Sequence, residues 1–402
     1  MKQKKPELLA PVGNKEMLIA AVNSGANAVY FGLDKLNMRA KAKNFTLENL
    51  PETINFCKQN NVDTHLTLNS IVFNDEINQL DEILPEVKKA GIDLVICWDF
   101  AVINKCIKYD IPFCISTQAS ISNIESAKFY KSLGAKRIVL ARECTLDMIK
   151  QIKDEVDVEI ETFIHGAMCV AVSGRCFLSH HVFNKSANRG ECVQPCRRNY
   201  KITDNDQGFS FELGSDYVMS PKDICTIDFI DLLLEANIDA FKIEGRKRSP
   251  EYIAKVVSTY RKAIDDYYLN TYSEEKKVNY KNELNKVYNR GFSNGFYLGL
   301  PNSNDFATTY GSTATTRKEY VGKVINFFKK TNVVHAHIEA GNLKIGDSIY
   351  ISGDTTGIVE MKVESLLLDG VELQEVKQGD KPTFVSSAIV RERDKIYKIV
   401  EK

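Results

Sequence analysis

The sequence predicts an α/β protein: a (β/α)8 TIM-like barrel with a cysteine-bearing insertion after strand seven, plus a small C-terminal all-β barrel. Three observations carry this. Eight short apolar runs rich in β-branched residues alternate with amphipathic stretches. Roughly 80 residues separate the seventh run from the eighth, far beyond an ordinary connection. From Tyr320 onward the pattern changes to short alternating strands.

The runs are Glu7–Pro11, Ala28–Gly32, Asp63–Leu68, Leu94–Trp98, Phe113–Thr117, Arg137–Ala141, Glu159–Phe163 and Ala240–Glu244, and a helix-like segment follows most of them. Eight such units are the number that closes a (β/α) barrel. Gly25 and Gly91 stand where a helix should end and a strand begin, since the left-handed residue after a helix favours glycine. Loops that follow barrel strands lie on the C-terminal face, so the insertion, at about residues 166–225, projects over the barrel mouth. Ser249–Asn270 and Ser273–Asn289 read as long amphipathic helices. The Gly-, Asn- and Ser-rich stretch from Gly291 to Thr316 reads as a linker or an ordered loop against the barrel. The barrel domain is therefore expected over 1–318 and the β-barrel over 319–402, where Gly341-Asn342, Gly353-Asp354 and Gly379-Asp380 mark turns.

With 402 residues, 44% hydrophobic and 26% charged, the chain has globular composition. No apolar run approaches the roughly 20 residues of a membrane helix. The basic start Met1-Lys2-Gln3-Lys4-Lys5-Pro6 leads into too short an apolar stretch to direct export, so a cytoplasmic location without membrane contact is expected. Formal net charge is zero, which makes any RNA site a local patch. In a reducing compartment the 10 cysteines serve packing, metal binding or catalysis rather than disulfides.

Cys169, Cys176, Cys192 and Cys196 are spaced C-x6-C-x15-C-x3-C within 28 residues. Thiolates this close suit zinc or an iron–sulfur cluster. Structural zinc favours tight knuckles in both halves, so the wide gaps favour a [4Fe–4S] cluster. Their neighbours are Gly, Arg, Ser, Asn and Pro, as a loop-borne site requires. Cys57, Cys97, Cys106, Cys114 and Cys144 lie in or beside periodic elements and read as core, while Cys225 reads as core or as a spare ligand. His165 directly follows strand seven and is the better candidate for proton transfer or ligation; His180 and His181 read as surface or packing.

The segment Glu161-Thr-Phe-Ile-His-Gly-Ala-Met-Cys169-Val-Ala-Val-Ser-Gly-Arg-Cys176-Phe-Leu-Ser179 resembles the signature of the collagenase-like peptidase family U32. Lys242-Ile-Glu-Gly-Arg246-Lys-Arg-Ser-Pro250, Leu9-Ala-Pro-Val-Gly13 and Ser116-Thr-Gln118-Ala-Ser120 resemble its other landmarks, so the likeness spans essentially the whole chain. The resemblance implies one of three activities: peptidase, cluster-bearing partner in ubiquinone hydroxylation, or RNA hydroxylation protein. The chain is most similar to the members that convert the wobble uridine of tRNA to 5-hydroxyuridine with prephenate as co-substrate. The four cysteines map onto that group's cluster ligands. The partners implied are tRNA, a small-molecule co-substrate, and an electron donor or paralogous family member.

A protease needs a nucleophile with a base, or a metal-activated water, and neither H-E-x-x-H nor G-x-S-x-G occurs. Ser173 and Ser179 can serve as nucleophiles or, more simply, as hydrogen-bond donors to sulfur. Residues at the C-terminal ends of the other strands would shape the pocket: Asn69, Asp99, Gln118, Arg142, Glu143, Glu244 and Arg246. His165, Glu244 and Arg246 are the catalytic candidates, and Asn69, Gln118, Arg142, Arg197 and Arg198 the substrate-binding ones. Arg142 and Arg246 match the two carboxylates of prephenate; alternatively, Glu244 and Arg246 pair with each other to close the barrel. Arg197, Arg198, Lys201, Lys242, Arg246, Lys247 and Arg248 would form a phosphate-binding rim, with Tyr200, Phe292, Phe296 and Tyr297 stacking on bases or sealing helix–barrel contacts.

Overall fold

Runs that are apolar on both faces form strands only where a core covers each side, and all eight expected runs do so in the computed structural model. The structure describes residues 4–39, 44–200, 202–203, 205–206, 210–211 and 219–402. The strands are β1 (Glu7–Pro11), β2 (Ala28–Gly32), β3 (Asp63–Thr67), β4 (Leu94–Cys97), β5 (Phe113–Ile115), β6 (Arg137–Val139), β7 (Glu159–Ala167) and the eighth barrel strand Ala240–Ile243. Each is parallel to the next, and the eighth pairs with both β1 and β7, which closes the ring. Helices α1 (Lys15–Asn23), α2 (Leu50–Gln59), α3 (Ile77–Ala90), α4 (Phe100–Lys108), α5 (Ile124–Ser132) and α6 (Leu146–Glu155) lie between the strands. Asn14, Asp99, Asn123 and Thr145 cap four of them by accepting from backbone N–H groups in the first turn.

Residues two apart along a strand face one side, and here the inner faces build a layered interior. Leu9, Ala28, Tyr30, Leu94, Ile96, Cys114, Val139 and Phe163 form its apolar part. Beneath them lies an ionic layer. Arg137 donates to Glu7 at 2.6 Å, to Glu159 at 2.9 Å and to Glu161 at 3.3 Å, and Lys242 Nζ donates to Glu161 at 2.6 Å. The larger apolar cluster lies between barrel and helices and takes in Cys57, Cys97, Cys106 and Cys144.

β7 runs past its expected end at Phe163 because the chain returning from the insertion supplies a partner. Strand Asp223–Cys225 pairs antiparallel with Ala167, Gly166 and His165. Gly166 sits at φ 107°, and a Cβ there would lie 2.5 Å from the Glu244 carbonyl oxygen, so this crossing requires glycine. The Gly-rich stretch is an ordered loop against the barrel: Phe292–Ser293 pairs with Asp223–Ile224, and Tyr297 Oη donates to Phe163 O at 2.8 Å.

From Thr316 the chain is antiparallel all-β, with eight strands in one sheet around Val321, Val334, Ile349, Phe384 and Ile396. This unit rests on α1 and on helix Pro250–Tyr268, through Ser352 to Glu16, Lys318 to Glu251 at 2.9 Å, and Lys255 to Glu360 at 3.0 Å. Gly357 packs directly on α1: its φ is +69°, and a Cβ would stand 2.8 Å from Ile19 Cγ2 and 2.9 Å from Ala20 N. Gly357→Val is expected to destabilise the protein by about 1–3 kcal/mol, measured by urea unfolding; an unchanged midpoint would show that the two units do not need this contact.

Candidate functional site

The insertion leaves the barrel at Ala167 and is folded over the mouth by its own polar side chains. Arg197 donates to Met168 O at its start, and to Ser220 Oγ at 3.0 Å and Pro221 O at 2.8 Å at its end. Arg189 bonds Glu76 and Ile71 O, and Arg175 donates to Gln118 O while stacking on Trp98. The guanidiniums thus fasten the segment to the loops that follow β3, β4 and β5.

Cys169, Cys176, Cys192 and Cys196 all line one cavity of about 230 Å³ between insertion and mouth. Met38, Arg39, Gln118, Arg142, Glu143, Ser173, Arg197 and Phe296 also line it. A smaller cavity of about 80 Å³ beneath it, in the barrel mouth, shares Met38, Arg39, Thr117, Gln118 and Arg142 and adds Asn69, Lys242, Glu244 and Arg246. A ligand in the mouth would therefore lie next to the thiols.

The sulfurs themselves test whether an iron–sulfur cluster fits. Backbone N–H groups of Ala171 and Leu178 donate to Cys169 Sγ at 3.4 Å and Cys176 Sγ at 3.3 Å, and Ser179 Oγ lies 3.9 Å from Cys192 Sγ. Such donors stabilise sulfur in its charged form. Burial raises the Cys196 thiol pKa; Arg197 opposes this, and the neighbouring Cys169, Cys192 and Cys176 add to it. Among the described residues, no group of three or more His, Cys, Asp or Glu side chains is arranged to hold a single metal ion. A cubane asks for less convergence, because each thiolate binds its own iron. The donor set fits such a cluster in chemistry.

At the mouth, Asn69 donates to Ser116 Oγ at 3.3 Å and Gln118 Oε1 at 3.4 Å and accepts from Met38 N at 3.2 Å. Arg142 stacks on Phe163 at 3.8 Å and donates to Ala167 O at 2.6 Å. Glu244 pairs with Arg39 at 3.1 Å, not with Arg246. Burial alone would raise the Glu244 carboxyl pKa, but Arg39, Arg248 and Arg142 outweigh it and hold it below the usual range. Arg246 is buried and, among the described residues, donates to neutral oxygens: Thr67 Oγ1 at 2.9 Å, Asn37 Oδ1 at 3.0 Å and Asn44 Oδ1 at 2.7 Å. Burial lowers its pKa to about 10.

Several expected site residues lie elsewhere. His165 does not reach the mouth: it packs among Tyr252, Tyr260 and Phe292 in the helix layer, with Tyr260 Oη 3.4 Å from Nδ1. A bulge in β7 explains this, since Lys242 faces Phe163 but Ile243 faces His165, which turns the imidazole outward. Cys225 is buried beside Tyr260. Asp99 caps α4. The basic rim is largely absorbed: Lys242 pairs with Glu161, Arg197 holds carbonyls, Arg248 stacks on Tyr288 at 3.7 Å, and exposed Arg198 stacks on Phe183 at 4.6 Å. Lys201 lies outside the described residues. Arg39, which lines both cavities, was missed because a lone arginine after β2 carries no spacing signal.

Residues 13–306 match the family described as Peptidase family U32. A relative named "Collagenase", from Porphyromonas gingivalis, is 40% identical over 98% of this chain and 97% of its own length. "tRNA hydroxylation protein P1" of Bacillus subtilis is 37% identical over 87% of this chain and 84% of its own. "23S rRNA 5-hydroxycytidine C2501 synthase" of Escherichia coli is 36% identical over 64% of this chain and 39% of its own. No helix is long and apolar enough to cross a membrane among the described residues.

Proposed function

This chain belongs to peptidase family U32, and from that membership we propose that it hydroxylates the wobble uridine of tRNA to 5-hydroxyuridine without molecular oxygen. Cys169, Cys176, Cys192 and Cys196 would hold a [4Fe–4S] cluster, and prephenate would be the co-substrate. The observation that carries the reading is the shared cavity: four thiols border a space that opens directly onto a barrel mouth lined by arginines.

Replacing C5–H by C5–OH is a two-electron oxidation beyond ordinary side chains, and the cluster supplies that redox chemistry when bound. The protein's own residues bind and orient. Arg142 and Arg39 offer guanidiniums to carboxylates at the mouth, and Arg246, cradled by neutral oxygens, adds positive field from below. Asn69 and Gln118 provide amides suited to the edge of a flipped pyrimidine. The two electrons released would be taken up by the co-substrate as it supplies the oxygen, or by a redox partner or second family member reached through the cluster. The peptidase reading has less support: among the described residues His165 faces the helix layer, and Ser179 lies against Cys192 sulfur.

The test is a mass-spectrometric nucleoside profile of total tRNA and ribosomal RNA from cells with and without the gene, complemented by wild type or Cys192→Ala. Loss of 5-hydroxyuridine or its derivatives, restored by wild type alone, is the expected result. An unchanged tRNA profile with altered ribosomal RNA would move the substrate. No change in either, with no paralogue present, would bring the peptidase and quinone readings forward.

A further inference from the structure

The turn between the first two cysteines is strained, and a carboxylate on the barrel holds it. Ser173 has φ 49° and ψ 24°, left-handed geometry that costs a residue bearing a Cβ about 1–3 kcal/mol, and Gly174 follows at φ 77°. The Ser173 N–H donates to Glu143 Oε1 at 3.2 Å. Glu143 stands on the loop after β6, which is itself fixed: Ala141 N donates to Ile121 O at 2.8 Å and Cys144 N to Ala141 O at 3.2 Å. The anchor therefore belongs to the barrel, not to the insertion.

Glu143 and Ser173 both line the cavity that the four thiols border. Ser173 is 5% exposed, and its Oγ, like Glu143 Oε2, is buried without a hydrogen-bond partner among the described residues. Leaving a buried carboxylate oxygen and hydroxyl unpaired is costly, and such groups are retained where the site needs them.

We propose that Glu143 is a positioning residue: its carboxylate holds the Val172–Gly174 turn so that Cys169 and Cys176 face one cavity, and its charge tunes the cluster they bind. This rests on the cluster reading above. Without the acceptor, the left-handed turn relaxes and the two sulfurs lose their shared placement. With an acceptor but no charge, the turn stands and the neighbouring cluster accepts an electron more readily, since net charge around a cluster sets its potential.

Wild type, Glu143→Gln and Glu143→Ala, each as the full chain purified without oxygen, would be compared in three ways. Iron and acid-labile sulfide report occupancy, potentiometric titration reports tuning, and amide hydrogen exchange on the metal-free protein reports the turn. Glu143→Ala should lose iron and sulfide several-fold, and its Ser173 amide should exchange about tenfold faster. Glu143→Gln, whose amide oxygen still accepts the Ser173 N–H, should keep the cluster at a more positive potential. Wild-type occupancy and amide protection in Glu143→Ala would overturn the proposal, as would equal loss in both variants. An unmoved potential in Glu143→Gln would remove the tuning half. If wild type binds no iron the cluster reading falls, and the exchange data alone decide whether Glu143 holds the turn.

Discussion

Replacing Glu161 with alanine is expected to destabilise the protein by about 3–5 kcal/mol, seen as a lower midpoint of urea unfolding. Glu161 is fully buried at the centre of the barrel, with Lys242 on one carboxylate oxygen at 2.6 Å and Arg137 on the other at 3.3 Å. Burial alone would raise its pKa; Lys242 and Arg137 outweigh that and hold it ionised. The intact group has little net stabilising value, because desolvating the charges costs nearly what their attraction returns. Removing one partner is different, since it strands the Lys242 ammonium inside the barrel. Arg137 keeps Glu7 and Glu159, so Lys242 bears the loss. Adding Lys242→Met to Glu161→Ala should therefore recover part of the stability. A loss below about 1 kcal/mol in the single variant would mean that water screens the pair as it does at a surface.

The barrel was legible because its strands are buried on both faces, which makes a run such as Ala28–Gly32 apolar throughout and hard to confuse with an amphipathic helix. That the four cysteines border the barrel mouth was legible from their spacing and from the position of the insertion, since a loop after β7 has only the mouth to cover. The orientation of His165 was not. Strict alternation from Phe163 would set it inward, and only the extra residue Ile164, opposed to no partner on the eighth strand, reverses its direction. The pairing of Glu244 was equally hidden: Arg246 lies two residues away in the same loop after the eighth strand, yet the carboxylate bonds Arg39 from the loop after β2, a choice made by loop geometry. Much of the expected phosphate rim is engaged within the fold for a related reason. Its lysines and arginines were expected to face phosphates, whereas an arginine's five donors also suit carbonyls and aromatic rings of the protein itself.

Two buried imidazoles should make this fold sensitive to mild acid. Burial, reinforced by Arg137 at His65 and by Arg248 at His165, lowers both pKa values to about 3. Glu7 stands 3.8 Å from His65 Nε2, too far for a hydrogen bond, and its charge is engaged by Arg137, so it does not reverse the shift. An unfolded chain takes up these protons near the ordinary histidine pKa of about 6.5, whereas the folded chain refuses them until about pH 3. The unfolded state therefore binds more protons throughout that window, and stability falls as pH drops from about 6.5 toward about 3. Each histidine contributes up to about 1.4 kcal/mol per pH unit. The depressed carboxyls of Glu161 and Glu244 act only lower down, because in the unfolded chain these groups take up protons only near the ordinary value of about 4.5. Between about pH 6.5 and 5 the imidazoles dominate, and His165→Phe, which fits among three aromatic rings, should remove about half of the slope there. Urea midpoints measured at half-unit steps across that range decide the matter. A flat wild-type profile would mean that His65 and His165 accept protons in the folded barrel, and a slope unchanged by His165→Phe would assign the sensitivity to His65 alone.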